Sequence, residues 1–145
     1  MNVVILGCGR MGAKTALMMD SQGHKVTVID KDRSSAKRLG NEFKGNFIIG
    51  NGLDAETLEK ARLDIADAFV STTNYDNRNI MSAMMAREIF SVPTVIARFY
   101  DADRAEIFSK MGIKAICVTT LGSGIAHDII LGTKFKTVLE YSIEN

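Results

Sequence analysis

The chain has 145 residues, 46% of them hydrophobic, which is the size of one domain with enough apolar material for a core. Its 18 basic and 17 acidic side chains nearly cancel, excluding the broad basic face that attracts nucleic acid or anionic lipid, so any function has to be local. Cys8 and Cys117 lack metal-ligand spacing, the first residues lack the order of a secretion signal, and no run reaches the roughly 18 apolar residues of a membrane helix. A cytoplasmic location is expected, at the inner face of a membrane only through a partner.

Met1 to Leu6 is a short β-branched run closed by glycine, the pattern of a strand buried on both faces. Arg10 to Gln22 turns helical, with Gly12, Ala13, Ala16 and Leu17 on one stripe and Gly23 as the stop. Lys25–Asp30 reads as a second strand and Arg33–Gly40 as a short helix. A third strand at Asn46–Ile49 precedes a helix over Asp54–Arg62, with Asp54 placed to cap it. The fourth strand is Ala68–Ser71, and a longer helix runs from Asp76 to Phe90, ending before Pro93 because the residue preceding proline disfavours helical geometry. Thr94–Arg98, Ala102–Met111 and Lys114–Val118 continue the alternation, Cys117 being expected in the core. A last helix begins near Gly122 and reaches about Leu131.

Six strands alternating with helices through short loops predict one parallel sheet covered on both faces, a doubly wound α/β domain, because parallel neighbours need crossover helices of right-handed sense. The expected organisation is a Rossmann-type nucleotide-binding domain over 1–132 and a crossover or linker tail over 133–145.

Between the first strand and helix stands G-C-G-R-M-G, with Gly7, Gly9 and Gly12 at the spacing of a phosphate turn. The first glycine permits the tight turn, the second lets backbone approach a phosphate, and the third allows close helix–sheet packing; the helix start then offers free N–H groups and partial positive charge. Asp30 ends the second strand 18 residues after Gly12, close to the roughly 20 of the dinucleotide fingerprint. Its carboxylate suits ribose hydroxyls and repels a 2′-phosphate, so NAD or a simple adenosine nucleotide is expected, with Lys31 softening the exclusion. Arg10, followed by Met11 in the same turn, offers a guanidinium for a terminal phosphate, or else is an exposed arginine that the helix dipole disfavours. Arg98 is a second phosphate candidate whose alternative is a surface ion pair.

The order G-C-G-R-M-G, V-I-D-K-D, I-I-G-N-G-L-D, S-T-T-N-Y-D-N-R-N-I-M and V-I-A-R-F-Y-D resembles the RCK or KTN domain family of nucleotide-binding regulators of potassium channels and transporters, over nearly the whole chain. The resemblance implies that Asn51 and Leu53, with Gly52 between them, approach adenine, and that Thr72, Thr73 and Asn74 lie along ribose and phosphates. It also implies NAD(H) or ATP/ADP as ligand, a homo-oligomer (a dimer, up to an octameric ring) and a membrane potassium channel or transporter as partner. The interface candidates are Met81, Met84, Met85, Ile89, Ile107, Phe108 and Met111, part of which the helix-to-sheet core claims instead. Two departures stand out: the turn after the fifth helix reads G-I-K where the family favours G-A-D, and a second ligand-binding lobe is missing.

Three functions compete. A regulatory module needs ligands that differ in affinity for two states, since equal binding shifts nothing. A dehydrogenase needs a substrate lobe with an acid–base residue beside the nicotinamide, which neither His24 nor His127 is placed to supply. A thiol sensor would use Cys8, because helix N-termini lower thiol pKa, but a small side chain tolerated in a tight turn is the favoured explanation.

Overall fold

The computed structural model describes residues 1–134. Strands β1 (Asn2–Leu6), β2 (Lys25–Asp30), β3 (Asn46–Ile49), β4 (Ala68–Ser71), β5 (Thr94–Phe99) and β6 (Lys114–Cys117) alternate with helices α1 (Arg10–Ser21), α2 (Ala55–Lys60), α3 (Asp76–Glu88), α4 (Ala102–Lys110) and α5 (Val118–Leu131). All pairings are parallel, and the order is β3-β2-β1-β4-β5-β6. The chain therefore reverses its direction of travel across the sheet between β1 and β4, which opens a crevice at their carboxyl ends.

Alternation along the strands sorts the apolar residues into two cores. Val4, Leu6, Phe69, Val95, Ala97 and Phe99 point to the face covered by α2, α3 and α4, where Phe108 stacks on Phe99 with ring centroids 6.0 Å apart. Val3, Ile5, Val26, Val28 and Val70 point to the opposite face, closed by Ala13 and Ala16 of α1 and by Leu39. Cover on this second face is incomplete: Ile96 of β5 and Ile116 of β6, which point there, are only partly buried. The expectation of helices over both faces thus holds for β1 and β2 more fully than for the β5–β6 side.

Local chemistry explains most boundaries. Asp54 caps α2 by accepting from the Thr57 N–H, and Asp101 caps α4 by accepting from the Arg104 N–H. Three expectations are corrected. The Arg33–Gly40 helix is a 3₁₀ helix over Arg33–Leu39, because Asp32 accepts from both the N–H and the hydroxyl of Ser34 while the Ser35 hydroxyl bonds back to the Asp32 carbonyl, tightening the turn. The last helix starts at Val118 rather than near Gly122, so β6 stops at Cys117. Cys117 is not core: on the edge strand β6 it is half-buried, packing only from the outside against the Phe99 side. The tail expected over 133–145 lies, beyond Lys134, outside the described residues. Among the described residues no helix is long and apolar enough to cross a membrane.

One buried polar residue ties the carboxyl ends of β4 and β5 to α3. Asn79 is fully buried; its Oδ1 accepts from the Ser71 hydroxyl (2.9 Å), the Thr73 N–H (2.9 Å) and the Thr73 hydroxyl (2.7 Å). Its amide nitrogen donates to the carbonyls of Thr73 (3.0 Å) and Arg98 (2.9 Å). Ser82 continues the network to Ser71 at 2.9 Å. Asn79→Ala strands these donors and acceptors in a water-free site and is expected to cost about 3 kcal/mol in urea denaturation. A loss under about 0.5 kcal/mol would show that water replaces the amide freely.

At the start of α1, a Cβ on Gly12 would lie 1.9 Å from the Gly7 carbonyl oxygen and 2.6 Å from the Thr72 hydroxyl. Because the nearer atom is backbone, Gly12→Ala forces helix and strand apart, with an expected cost of about 3 kcal/mol and a fall of roughly 10 °C in Tm by calorimetry.

Candidate functional site

The crevice at the switch point is a cleft of about 230 Å3 lined by the glycine turn, the end of β2 and the loop after β4. Gly7 has φ +97°, a conformation that favours glycine, and its N–H donates to the Ile29 carbonyl at 2.8 Å. The Thr72 hydroxyl lies 3.2 and 3.1 Å from the Leu6 and Gly7 carbonyl oxygens, clamping the turn to β4. Gly9 is the N-cap of α1 and has ordinary extended geometry, φ −76° and ψ −169°. No side chain caps this helix, and a Cβ on Gly9 would meet nothing within 4 Å. The first-turn N–H groups, which a helix cannot satisfy internally, therefore open onto unfilled space.

Asp30 borders the same cleft. Its Oδ2 accepts from the Cys8 N–H at 2.6 Å and its Oδ1 from the Asp32 N–H at 2.9 Å, fixing the carboxylate against the turn. A carboxylate has about four acceptor positions, so capacity remains for ligand hydroxyls. Asp32 lies beside it, its carboxyl held below the ordinary range by hydrogen bonds from Ser34. Arg38 reaches in from the 3₁₀ helix, one guanidinium nitrogen 3.4 Å from the Cys8 carbonyl. Cys8 itself is fully buried, its thiol donating to the Ser35 carbonyl at 3.3 Å. Burial pushes that thiol up and the Asp30 carboxylate adds to the rise, which opposes the thiolate a sensor needs.

The far wall is the segment from Thr72 to Arg78. Thr73 is held through Asn79, Asn74 is exposed, and the guanidinium of Arg78 lies over the Tyr75 ring with its central carbon 5.1 Å from the centroid. Asp76 is turned away, its carboxylate accepting from the Tyr100 and Asp101 N–H groups.

Of the residues expected from sequence, the fold gathers Gly7, Gly9, Asp30, Lys31, Gly52, Thr72, Thr73 and Asn74 around one cleft. Gly12 sits behind the turn as its packing residue. Arg10, Met11, Asn51, Leu53 and Arg98 do not line it: Arg10 is exposed, and Asn51 uses its Oδ1 to accept from the Leu53 N–H in a local turn. Arg98 stacks on Tyr100 at 4.4 Å and donates to its hydroxyl at 2.6 Å. His24 lies near the N-terminal amine at the other end of the sheet, and His127 is on α5 beside Asp128. Sequence reading missed Arg38, Tyr75 and Arg78. The signal for the last pair was their spacing of three at a helix start, which stacks side chains on one face. A larger hollow of about 980 Å3 lies at the amino ends of β2 and β3, but it faces the wrong end of a parallel sheet and has no helix N-terminus, so the smaller cleft is the better candidate.

The TrkA-N domain family model matches residues 3–119. The chain is 45% identical over 116 residues to the Trk system potassium uptake protein TrkA of Streptomyces coelicolor, covering 80% of this chain and 52% of that protein. It is 41% identical over 113 residues to the TrkA homolog of Methanothermobacter thermautotrophicus, covering 78% and 52%. The chain thus spans about half the length of these curated relatives. Among solved structures it is similar to the AMP-bound Kef CTD of Shewanella denitrificans (TM-score 0.74, 18% identity, 97% and 86% of the two chains). It is also similar to GsuK bound to ADP (0.75, 22%, 89% and 33%) and to the GsuK channel bound to NAD (0.68, 18%, 82% and 22%). These likenesses show the fold. With its glycine turn, Asp30 and strand order in place, and the family model running from β1 into α5, the chain belongs to the TrkA-N domain family, which bears out the RCK/KTN resemblance read from its motifs.

Proposed function

We propose that this chain is a regulatory domain of a potassium uptake system that binds an adenine nucleotide, NAD(H) or ATP/ADP, in the crevice between β1 and β4. The observation that carries the reading is the uncapped start of α1 at Gly9, with room beside it for further atoms and bordered by the fixed Asp30 carboxylate. That pairing suits a phosphate beside a ribose: the anion meets oriented N–H dipoles, and the sugar hydroxyls donate to a carboxylate. Neighbours of the same fold carry AMP, ADP and NAD. We assign the ribose to Asp30 and Lys31, the adenine to the side of Gly52, Asn51 and Leu53, and the phosphates to the Gly7–Gly12 turn and the Thr72–Asn74 loop. The backbone of Arg10 and Met11 belongs to that turn.

The function we assign is binding and gating rather than catalysis, in the cytoplasm at the inner face of a membrane, through a potassium channel or transporter subunit. Both relatives named above are Trk system potassium uptake proteins, and both histidines lie away from the cleft. We further propose self-association through the outer helices. Met84, Met85 and Phe108 pack against the core, whereas Met81, Ile89, Ile107 and Met111 are exposed. On α5, Val118, Ile125 and Ile129 recur on one exposed stripe. These exposed apolar residues, together with the partly covered Ile96 and Ile116 on the other face of β5 and β6, suit contact with a second copy of the chain.

Two measurements test these readings. Gly9→Ala costs only the cap preference, about 1 kcal/mol, yet fills the space proposed for phosphate; nucleotide affinity by titration calorimetry is expected to fall on the order of tenfold or more. Undiminished affinity would place the phosphate elsewhere. In sedimentation the wild-type chain is expected to run as a dimer or larger, and the double variant Ile107→Glu, Ile129→Glu as a folded monomer. A wild-type monomer would sink the assembly half of the proposal.

A further inference from the structure

The cleft is lined in a fixed order along its length. Gly50 and Gly52 after β3 come first, then Asp30 and Asp32 after β2, then the glycine turn after β1, then the Thr72–Tyr75 loop after β4, and last Arg78 on the first turn of α3. The carboxylates of Asp30 and Asp32, with Lys31 and Arg38 beside them, stand at one end and the Arg78 guanidinium at the other, with oriented N–H groups between them. A nucleotide laid along this order has its sugar at the acidic end, its first phosphate at the glycine turn and any further phosphate beyond it, toward Arg78.

Three observations favour Arg78 for that position. It lines the cleft, whereas Arg10 is exposed and does not. Its guanidinium is held over the Tyr75 ring at 5.1 Å, a cation–π contact that orients the fork while leaving its N–H edges for an anion. Among the described residues it forms no ion pair, and the nearest acid in sequence, Asp76, is committed to the Tyr100 and Asp101 N–H groups. The other arginine of the cleft, Arg38, is engaged with the Cys8 carbonyl at the acidic end.

We infer that Arg78 is the specificity-determining residue that reads the second and later phosphates of the bound nucleotide, so that this site separates ADP and ATP from AMP through Arg78 rather than Arg10. The inference rests on the nucleotide reading above and deepens it. A charge-assisted, paired contact to a terminal phosphate is absent for AMP, whose single phosphate is used at the glycine turn.

The test is titration calorimetry of AMP, ADP and ATP against the full chain and its Arg78→Ala, Arg78→Lys and Arg10→Ala variants, with circular dichroism to confirm folding. Arg78→Ala is expected to leave AMP affinity within about twofold and to weaken ADP and ATP on the order of tenfold, with Arg78→Lys recovering part of the loss. The ADP and ATP loss is also expected to shrink as salt rises. Equal weakening of all three nucleotides, no weakening of ATP, or loss of the ATP preference in Arg10→Ala instead would overturn the assignment while leaving nucleotide binding intact. Wild-type protein that binds none of the three would overturn the underlying reading, and this inference with it.

Discussion

The close approach of α1 to the ends of β1 and β4 is the constraint on which the remaining geometry depends. Gly12 has no room for a side chain against the Gly7 carbonyl and the Thr72 hydroxyl, and that hydroxyl in turn lies within hydrogen-bond distance of the Leu6 and Gly7 carbonyls. Helix, turn and fourth strand are thereby held at one point. The consequence is directional: α1 begins at the top of the sheet with its N–H groups aimed out of the protein, and the switch in strand order prevents any neighbouring crossover from covering them. A concave, polar cleft results from packing alone, before any ligand contact is considered.

The second requirement is that the wall opposite the turn be stiff. Loops after strands are ordinarily mobile, because their backbone groups bond to water. Here Asn79 supplies three accepted and two donated hydrogen bonds from a fully buried position, and Ser71 and Ser82 extend the network. In a low-dielectric interior such a saturated amide costs little to bury and much to disturb. It fixes Thr73 and the carbonyl of Arg98 together, so the loop from β4 and the end of β5 move with α3 as one body.

Strand positions, the glycine turn and Asp30 were legible because they depend on short-range pattern: β-branched runs, glycine spacing and the distance to the next strand end. Residues whose role depends on side-chain direction were not. Asn79 lies inside a helix next to Asp76 and Asn77, where asparagine usually signals a cap or a turn, and only the packing of α3 on β4 and β5 turns it inward. Arg78 and Arg38 were not singled out, because only the fold brings both to one cleft. The start of α5 was misplaced for a related reason: Val118, Thr119 and Thr120 favour strand locally, and Gly122 and Gly124 weaken the helix, yet the last helix forms from Val118 onward. Cys117 looked like core because its strand does, but edge strands have only one neighbour to bury them.

These parts meet in α3. Its first turn carries Arg78 and Asn79 at the cleft, its inner side carries Ala83 and Ala86 into the core, and its outer side shows Met81 and Ile89 to solvent. A helix of 13 residues is rigid over its length, about 20 Å at 1.5 Å per residue, so a change in position at the cleft is delivered to the outer surface rather than absorbed between them. On the nucleotide reading proposed above, ligands with different numbers of phosphates would differ in their pull on the first turn of this helix and hardly at all on Asp30, which already holds the turn through Cys8. Differential contact of that kind is what a two-state assembly needs, because tight binding that is equal in both states moves no population. On that proposal the side of the cleft assigned to adenosine sets affinity, and the side built on α3 is where any difference between nucleotides would have to be converted into a difference of shape.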